Sequence, residues 1–252
     1  MSTNVFIFVP AFGQIVTATT FLSTHAIRQH LFSKGIGGGI STLSFPDIAE
    51  LRSMAMTIWY DTLPDCSHML FIDADMGIQP EMVSDMILLG EPLVGCIYRH
   101  RREPTTWVGS GSGGPTTQRR GDFMKVEGLG MGCTLIRRDL VTKMIEAYPE
   151  LIDTRMHLHP ALETLRASGT QRLFRFFEKM DIPERGVVSE DISFCIRWNK
   201  IGGETWAAIG HRISHVGPYD YSGRYLDMIE GAAQAPAMQA VAPMDPAQMA
   251  AL

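Results

Sequence analysis

The run His68-Met69-Leu70-Phe71-Ile72-Asp73-Ala74-Asp75 constrains this chain more than any other segment. Met69 to Ile72 are apolar without alternation, the pattern of a strand covered on both faces in a parallel sheet. Side chains at i and i+2 of an extended segment point the same way, so Asp73 and Asp75 share one side where the strand ends. Open α/β sheets bind ligands beyond the carboxyl ends of their strands. Two carboxylates there repel and are costly to desolvate unless a cation lies beside them. Hard oxygen ligands suit Mg²⁺ or Mn²⁺, whose shells substrate phosphates complete. The bland alternative is a polar loop whose aspartates cap the next helix.

Around that strand the chain alternates. Val5 to Val9 reads as a buried strand stopped by Pro10, and Thr17 to Phe32 as a helix ended by the glycines at 35–39. Ile40 to Leu43 is a short strand, Asp47 to Tyr60 a helix capped by Asp47, Pro80 to Leu89 a helix with Pro in its first turn, and Leu93 to Tyr98 a strand. This β-α-β-α-β order predicts a doubly wound parallel sheet in the first hundred residues. Beyond it, Cys133 to Ile136 and Leu173 to Phe177 read as strands, and Arg138 to Ala147, Pro160 to Ala167 and Glu190 to Lys200 as helices. Residues 99–121 hold five arginines and a Gly-Ser-Gly-Ser-Gly-Gly-Pro run, so they form a functional lid or a solvated loop. Arg99, Arg101 and Arg102 follow a strand's carboxyl end, where they could meet phosphates. From Gly231 onward Ala, Met, Gln and Pro dominate and core aromatics are lacking, which predicts a flexible tail.

Composition excludes several classes. With 252 residues, 45% hydrophobic and 19% charged, the chain suits a globular protein. A formal net charge of −5 gives no general nucleic-acid footprint. Cys66, Cys96, Cys133 and Cys195 form no C-x-x-C pair and favour a reduced, cytoplasmic location. There is no basic stretch before Val5 to mark a signal peptide, and no apolar run of a bilayer's length to form a transmembrane segment. His157-Leu158-His159 lacks a third ligand at a zinc spacing and reads as a surface feature.

Three later clusters bear on chemistry. Gly128-Leu129-Gly130-Met131-Gly132 precedes a strand; close backbone packing explains it as well as a ligand does. Ser189-Glu190-Asp191 opens a helix, where acidic residues also complement the helix dipole. His215 sits in Ile213-Ser214-His215-Val216-Gly217, and becomes a ligand only if carboxylates converge on it.

Asp73-Ala74-Asp75, the Gly-x-Gly-x-Gly-Cys-Thr-Leu-Ile-Arg-Arg stretch, Ser-Glu-Asp-x-x-Phe-Cys-x-Arg-Trp at 189–198, then Gly-Gly-x-x-Trp and His-Val-Gly occur in the order found in GT-A-fold glycosyltransferases. The chain resembles family-2-like members most, over about residues 5–220. Phe8-Val9-Pro10-Ala11 also looks like that family's first strand. Glu50-Leu51-Arg52-Ser53 falls where members carry Ala-Arg-Asn, with Arg kept and Asn replaced.

The resemblance implies a Rossmann-like GT-A fold, a mostly parallel central sheet flanked by helices. One domain spans 1–230, with a nucleotide-binding half over about 1–98, an acceptor-binding half over 122–230, and a tail at 231–252. It implies a hexosyltransferase-like enzyme using Mn²⁺ or Mg²⁺. The donor is a nucleoside-diphosphate sugar, UDP favoured, and the acceptor a glycan, lipid-linked or other hydroxyl. Donor-binding residues would be Pro10, Ala11, Arg52, Asp73, Ala74 and Asp75. Asp75 and His215 would hold the metal, with Asp73 a further candidate ligand or a ribose contact. Asp191 would be the base of an inverting transfer, and Glu190 would orient the acceptor or the base. A metal-dependent phosphohydrolase or nucleotidyltransferase, and a non-catalytic nucleotide-sugar-binding protein, are the alternatives.

Overall fold

The computed structural model describes residues 3–109, 117–155 and 163–231. The tail beyond 231, the glycine-rich part of the 99–121 loop and the His157–His159 pair lie outside the described residues.

The first half follows the alternation read from sequence. Strand β1 (Val5–Pro10) leads to helix α1 (Ala18–Ser33), β2 (Ile40–Leu43), α2 (Ile48–Thr62), β3 (His68–Ile72), the short β4 (Met76–Gly77), α3 (Pro80–Leu89) and β5 (Leu93–Cys96). Local chemistry sets the helix ends. Thr17 and Asp47 accept hydrogen bonds from Thr20 N and Glu50 N and so cap α1 and α2. α3 starts on Pro80 and stops at Gly90, whose φ of 73° is the left-handed conformation glycine adopts freely.

The second half supplies β6 (Tyr98–Arg99), β7 (Trp107–Val108), β8 (Arg119–Arg120), β9 (Phe123–Val126), β10 (Cys133–Arg137) and α4 (Arg138–Ala147). Then come β11 (Ile152–Asp153), α5 (Glu163–Ala167), β12 (Leu173–Phe174), β13 (Asp181–Ile182), β14 (Gly186–Val187), α6 (Glu190–Lys200), β15 (Thr205–Ala208), β16 (Ile213–Val216), β17 (Asp220–Gly223) and α7 (Tyr225–Ile229).

The central sheet has the order β2-β1-β3-β10-β5-β15-β9-β8. β9 and β10 run opposite to the other six strands, so the sheet is mostly parallel. The mostly parallel sheet flanked by helices is as expected, and to the strands of the first hundred residues it adds β10, which intervenes, antiparallel, between β3 and β5. Two expectations shift. The strand expected at Leu93 to Tyr98 breaks after Cys96, and Tyr98–Arg99 leaves the main sheet to pair with β7. Leu173 to Phe177 is extended only at its first two residues; Phe174, Phe176 and Phe177 fill the core from an irregular segment.

Both faces of the sheet are covered, which is why its strands lack alternation. Phe6, Phe8, Met69 and Phe71 face the layer of α2, α4 and α6, with Trp59, Leu140 and Trp198. Val5, Ile7, Val9, Leu70 and Ile72 face α1 and α3, with Ile27, Leu31 and Met82. Burying a side chain of this size stabilises by roughly 1.5–3 kcal/mol, so the two apolar layers hold the β3 terminus firmly in place.

Candidate active site

The parallel strands β1, β3, β5 and β15 end on one edge of the sheet, at Pro10, Ile72, Cys96 and Ala208. Beyond that edge the chain makes its tightest turns. Buried Ala11 continues β1 and donates its amide to Leu43 O at 3.0 Å. Asp73 N donates to Gly132 O (2.9 Å), Thr17 N to Ala74 O (2.8 Å), and Val216 N to Asp75 O (2.7 Å). The Asp73-Ala74-Asp75 backbone is therefore anchored from three directions, by the start of β10, the entry to α1, and β16.

Arg52 ties the two halves of the chain together. It lies on the inner face of α2 with 4% of its side chain exposed. Nη2 donates to Asp73 Oδ1 at 2.8 Å and Nη1 to Glu190 Oε1 at 2.5 Å. Desolvation works against its charge, but Asp73 and Glu190 outweigh that and raise its pKa above the usual value. Its Nε is buried with no partner among the described residues. Glu190 reaches this position because Phe71 of β3 meets Phe177 edge-on at 5.8 Å, and Phe177 stacks on Phe194 of α6 at 4.6 Å.

A second cluster forms around Asp75. Strand β16 pairs with β4 in the register His215↔Met76, which sets His215 beside the turn that holds Asp75. His215 Nδ1 donates to Arg99 O at 2.8 Å, so in the neutral ring the lone pair is on Nε2, 3.5 Å from Asp75 Oδ2. Arg101 Nη1 sits 2.8 Å from the same Oδ2. Burial pushes the Asp75 carboxyl up, but His215 and Arg101 more than offset this and hold its pKa below the ordinary carboxylate value.

Asp191 is fixed by its own helix. It accepts from Ile192 N at 2.7 Å and from the hydroxyl of Ser189, so its carboxylate is held in one orientation at the α6 N-terminus.

The glycine-rich run has a packing explanation. A Cβ on Gly132 would lie 2.6 Å from Tyr98 Cζ, and one on Gly130 would lie 2.5 Å from the Tyr98 hydroxyl. These glycines make room for Tyr98, whose ring meets His215 edge-on at 5.1 Å. Burial pushes the Tyr98 phenol well above its usual pKa, so it stays neutral.

The structure thus gathers Arg52, Asp73 and Glu190 into one group, and Asp75, His215 and Arg101 into a second. Asp73 is turned to Arg52, and among the described residues no three His, Cys, Asp or Glu side chains converge to hold a metal ion by themselves. Of the arginines expected to face phosphate, only Arg101 reaches the carboxylates. Arg99 is held by Glu103, Thr105 and Ser222 O, and Arg102 bonds Thr106. Sequence reasoning missed Tyr98 and the Ser189–Asp191 contact. The paired glycines signalled the first, and the i, i+2 spacing at a helix start signalled the second. An open depression of about 540 Å³ beside α3, lined by Asp85, Leu88, Arg120 and Phe123, contains none of these residues.

A mostly parallel α/β sheet with acidic, basic and imidazole groups gathered at its carboxyl edge is a ligand-binding architecture. No protein-family model matches the sequence, and no curated protein matches it. Solved structures similar to it include the A197 protein from STIV, at 15% identity over 86% of this chain and 89% of that one, with a TM-score of 0.48. A glycosyltransferase involved in glycosylation of the major capsid of PBCV-1 matches at 11% identity over 57% and 66%, TM-score 0.34. A Drosophila β1,4-galactosyltransferase 7 mutant, complexed with manganese, UDP-Gal and xylobiose, matches at 14% identity over 56% and 52%, TM-score 0.30. Likeness at these levels assigns no residue a role.

Proposed function

We propose that this chain is a GT-A-like glycosyltransferase that moves a sugar from a nucleoside-diphosphate donor, UDP favoured, to an acceptor hydroxyl with inversion. The observation that carries this reading is the pair of clusters at the sheet's carboxyl edge, Asp73 and Glu190 joined through buried Arg52 and, beside them, Asp75 with His215 and Arg101. Four separated sequence segments converge there, beyond what capping of the next helix requires.

The residues present fit a divalent cation. Asp75 already accepts a cationic partner in Arg101, and His215 has its Nδ1 proton held by a carbonyl, the tautomer that frees Nε2 as a ligand. Two protein ligands leave the remaining positions to diphosphate oxygens and water, the pattern of Mg²⁺ and Mn²⁺ sites. When bound, such an ion supplies Lewis-acid stabilisation of the leaving diphosphate's charge.

Other steps fall to the chain itself. Pro10, Ala11 and Ala74 shape the floor on which the nucleotide lies. Arg52 fixes Asp73 toward the ribose and Glu190 toward the acceptor. Asp191 accepts the acceptor proton at its free carboxylate oxygen, and Ser189 holds the other oxygen in place. Arg101, half exposed and bound to Asp75, is placed to exchange that carboxylate for donor phosphate.

The test is incubation with Mn²⁺ and a panel of nucleotide-sugars and hydroxyl acceptors, reading nucleoside diphosphate release, sugar transfer and anomeric configuration. Asp191→Asn should bind donor normally and transfer about 10²- to 10⁴-fold more slowly. A retained anomeric configuration removes Asp191 from the role of base. Release of nucleoside monophosphate and sugar phosphate without sugar transfer instead favours a phosphohydrolase, and pyrophosphate release in a parallel incubation with a nucleoside triphosphate and a sugar phosphate favours a nucleotidyltransferase. Tight donor binding with no turnover identifies a binding protein.

A further inference from the structure

Helix α1 is apolar on more than one side. Its inner stripe, Thr20, Thr24, Ile27 and Leu31, is buried against the sheet and α3. A second stripe, Phe21, His25, Arg28 and Phe32, has the same i, i+4, i+7, i+11 spacing about 100° further round the helix. Phe21 and Phe32 on it are 66% and 69% exposed. Leu22 beside it is 63% exposed, and on the turn that leads into α1 Phe12 and Ile15 are 71% and 72% exposed. A soluble surface carries such residues singly; this many within one turn and one helix mark an interaction surface.

Charge points to what covers it. Residues 1–46 contain Arg28 and Lys34 and no Asp or Glu, in a chain whose formal net charge is −5. Arg28 lies over the Phe32 ring, 5.6 Å from its centroid, so cation and aromatic share the exposed stripe. The surface is a convex helix face and not a groove. Exposed aromatics interleaved with basic residues on such a face suit the headgroup–acyl boundary of an anionic bilayer.

We infer that this protein docks peripherally on anionic lipid surfaces through the Phe12–Ile15 turn and the Phe21–Phe32 stripe of α1. No helix among the described residues is long and apolar enough to cross a membrane, so the attachment is in-plane. It brings the sheet's carboxyl edge, which reaches Ala11 one residue before Phe12, toward the headgroups. The docking does not depend on the glycosyl-transfer reading, and its test needs no turnover.

The full chain is sedimented with sucrose-loaded vesicles of phosphatidylcholine alone and of phosphatidylcholine with one-quarter phosphatidylglycerol. The wild type should bind the anionic vesicles at least tenfold more tightly than the neutral ones, and less tightly in high salt. Phe21→Ser/Phe32→Ser should weaken that binding at least tenfold, and Arg28→Gln/Lys34→Gln several-fold, with thermal melts close to wild type because Phe21, Phe32 and Lys34 are exposed and Arg28 is only half-buried. Absence of vesicle binding, or equal binding by the variants, overturns the inference. So does a wild-type dimer in sedimentation velocity that Phe21→Ser/Phe32→Ser dissociates while neither form binds vesicles, since a second copy would then be the occupant.

Discussion

Replacing Arg52 with Met removes the one cation between Asp73 and Glu190, whose side chains are only 27% and 12% exposed. Two hydrogen bonds to charged groups are lost, each worth about 1.5–3 kcal/mol, and two carboxylates are left facing each other. Breaking a buried ion pair by removing one partner costs about 3–5 kcal/mol. The already unpartnered Nε contributes nothing to that loss. Arg52→Met should therefore lower unfolding stability by about 3–5 kcal/mol, read from urea midpoints at neutral pH. Arg52→Lys keeps a charge but reaches one carboxylate, because an ammonium lacks the guanidinium fork, and should lose about half as much. Adding Asp73→Asn and Glu190→Gln to Arg52→Met should recover more than about 1 kcal/mol, as neutral amides replace unpaired charges. A loss below about 1 kcal/mol in Arg52→Met, or no recovery in the triple variant, would refute the view of Arg52 as the link between the two halves.

Gly132→Ala puts a Cβ 2.6 Å from Tyr98 Cζ; overpacking of this kind costs about 1–3 kcal/mol, and thermal melts against Gly121→Ala, which meets nothing within 4 Å but has a φ of 58°, separate clash from backbone strain. Burial, aided by Arg137, lowers the His68 pKa from 6.5 to about 4. The unfolded chain then binds the extra proton first, so this contribution is complete above pH 6.5 and lost as pH falls to about 4, a change of about 3 kcal/mol. His68→Gln should flatten the stability profile over that window, and parallel wild-type and variant profiles would contradict the assignment.

Much of the fold is legible in sequence where burial is two-sided and ends are capped. The apolar runs of β1 and β3 are strands covered on both faces, and Pro80 with Gly90 marks both ends of α3. Strand direction is not written in such runs, because an apolar stretch looks the same in a parallel or an antiparallel neighbour; hence the insertion of β10 between β3 and β5 was hidden. Leu173 to Phe177 misleads for a related reason: its aromatic residues are apolar for core filling, not for pairing.

In the site, the acidic motifs were visible as motifs, and only the family resemblance, not spacing, set His215 beside Asp75. The approach of His215 to Asp75 depends on pairing between the short strands β4 and β16 in the register His215↔Met76, 139 positions apart, and the Arg52–Glu190 contact spans 138 positions. Neither separation leaves a periodic signal in the chain. Tyr98, likewise, is recognisable as a partner of His215 only once Gly130 and Gly132 are seen to yield it space.

In the proposed function, Asp75 and His215 would hold a divalent cation that in turn would hold the donor diphosphate. Calorimetric titration of the wild type and Asp75→Ala with UDP, with and without Mn²⁺, tests it directly. The wild type should bind UDP in a Mn²⁺-dependent way and Asp75→Ala should lose that binding while its melting curve remains cooperative. UDP binding of equal strength with and without Mn²⁺, or an Asp75→Ala variant that binds as the wild type does, would contradict it.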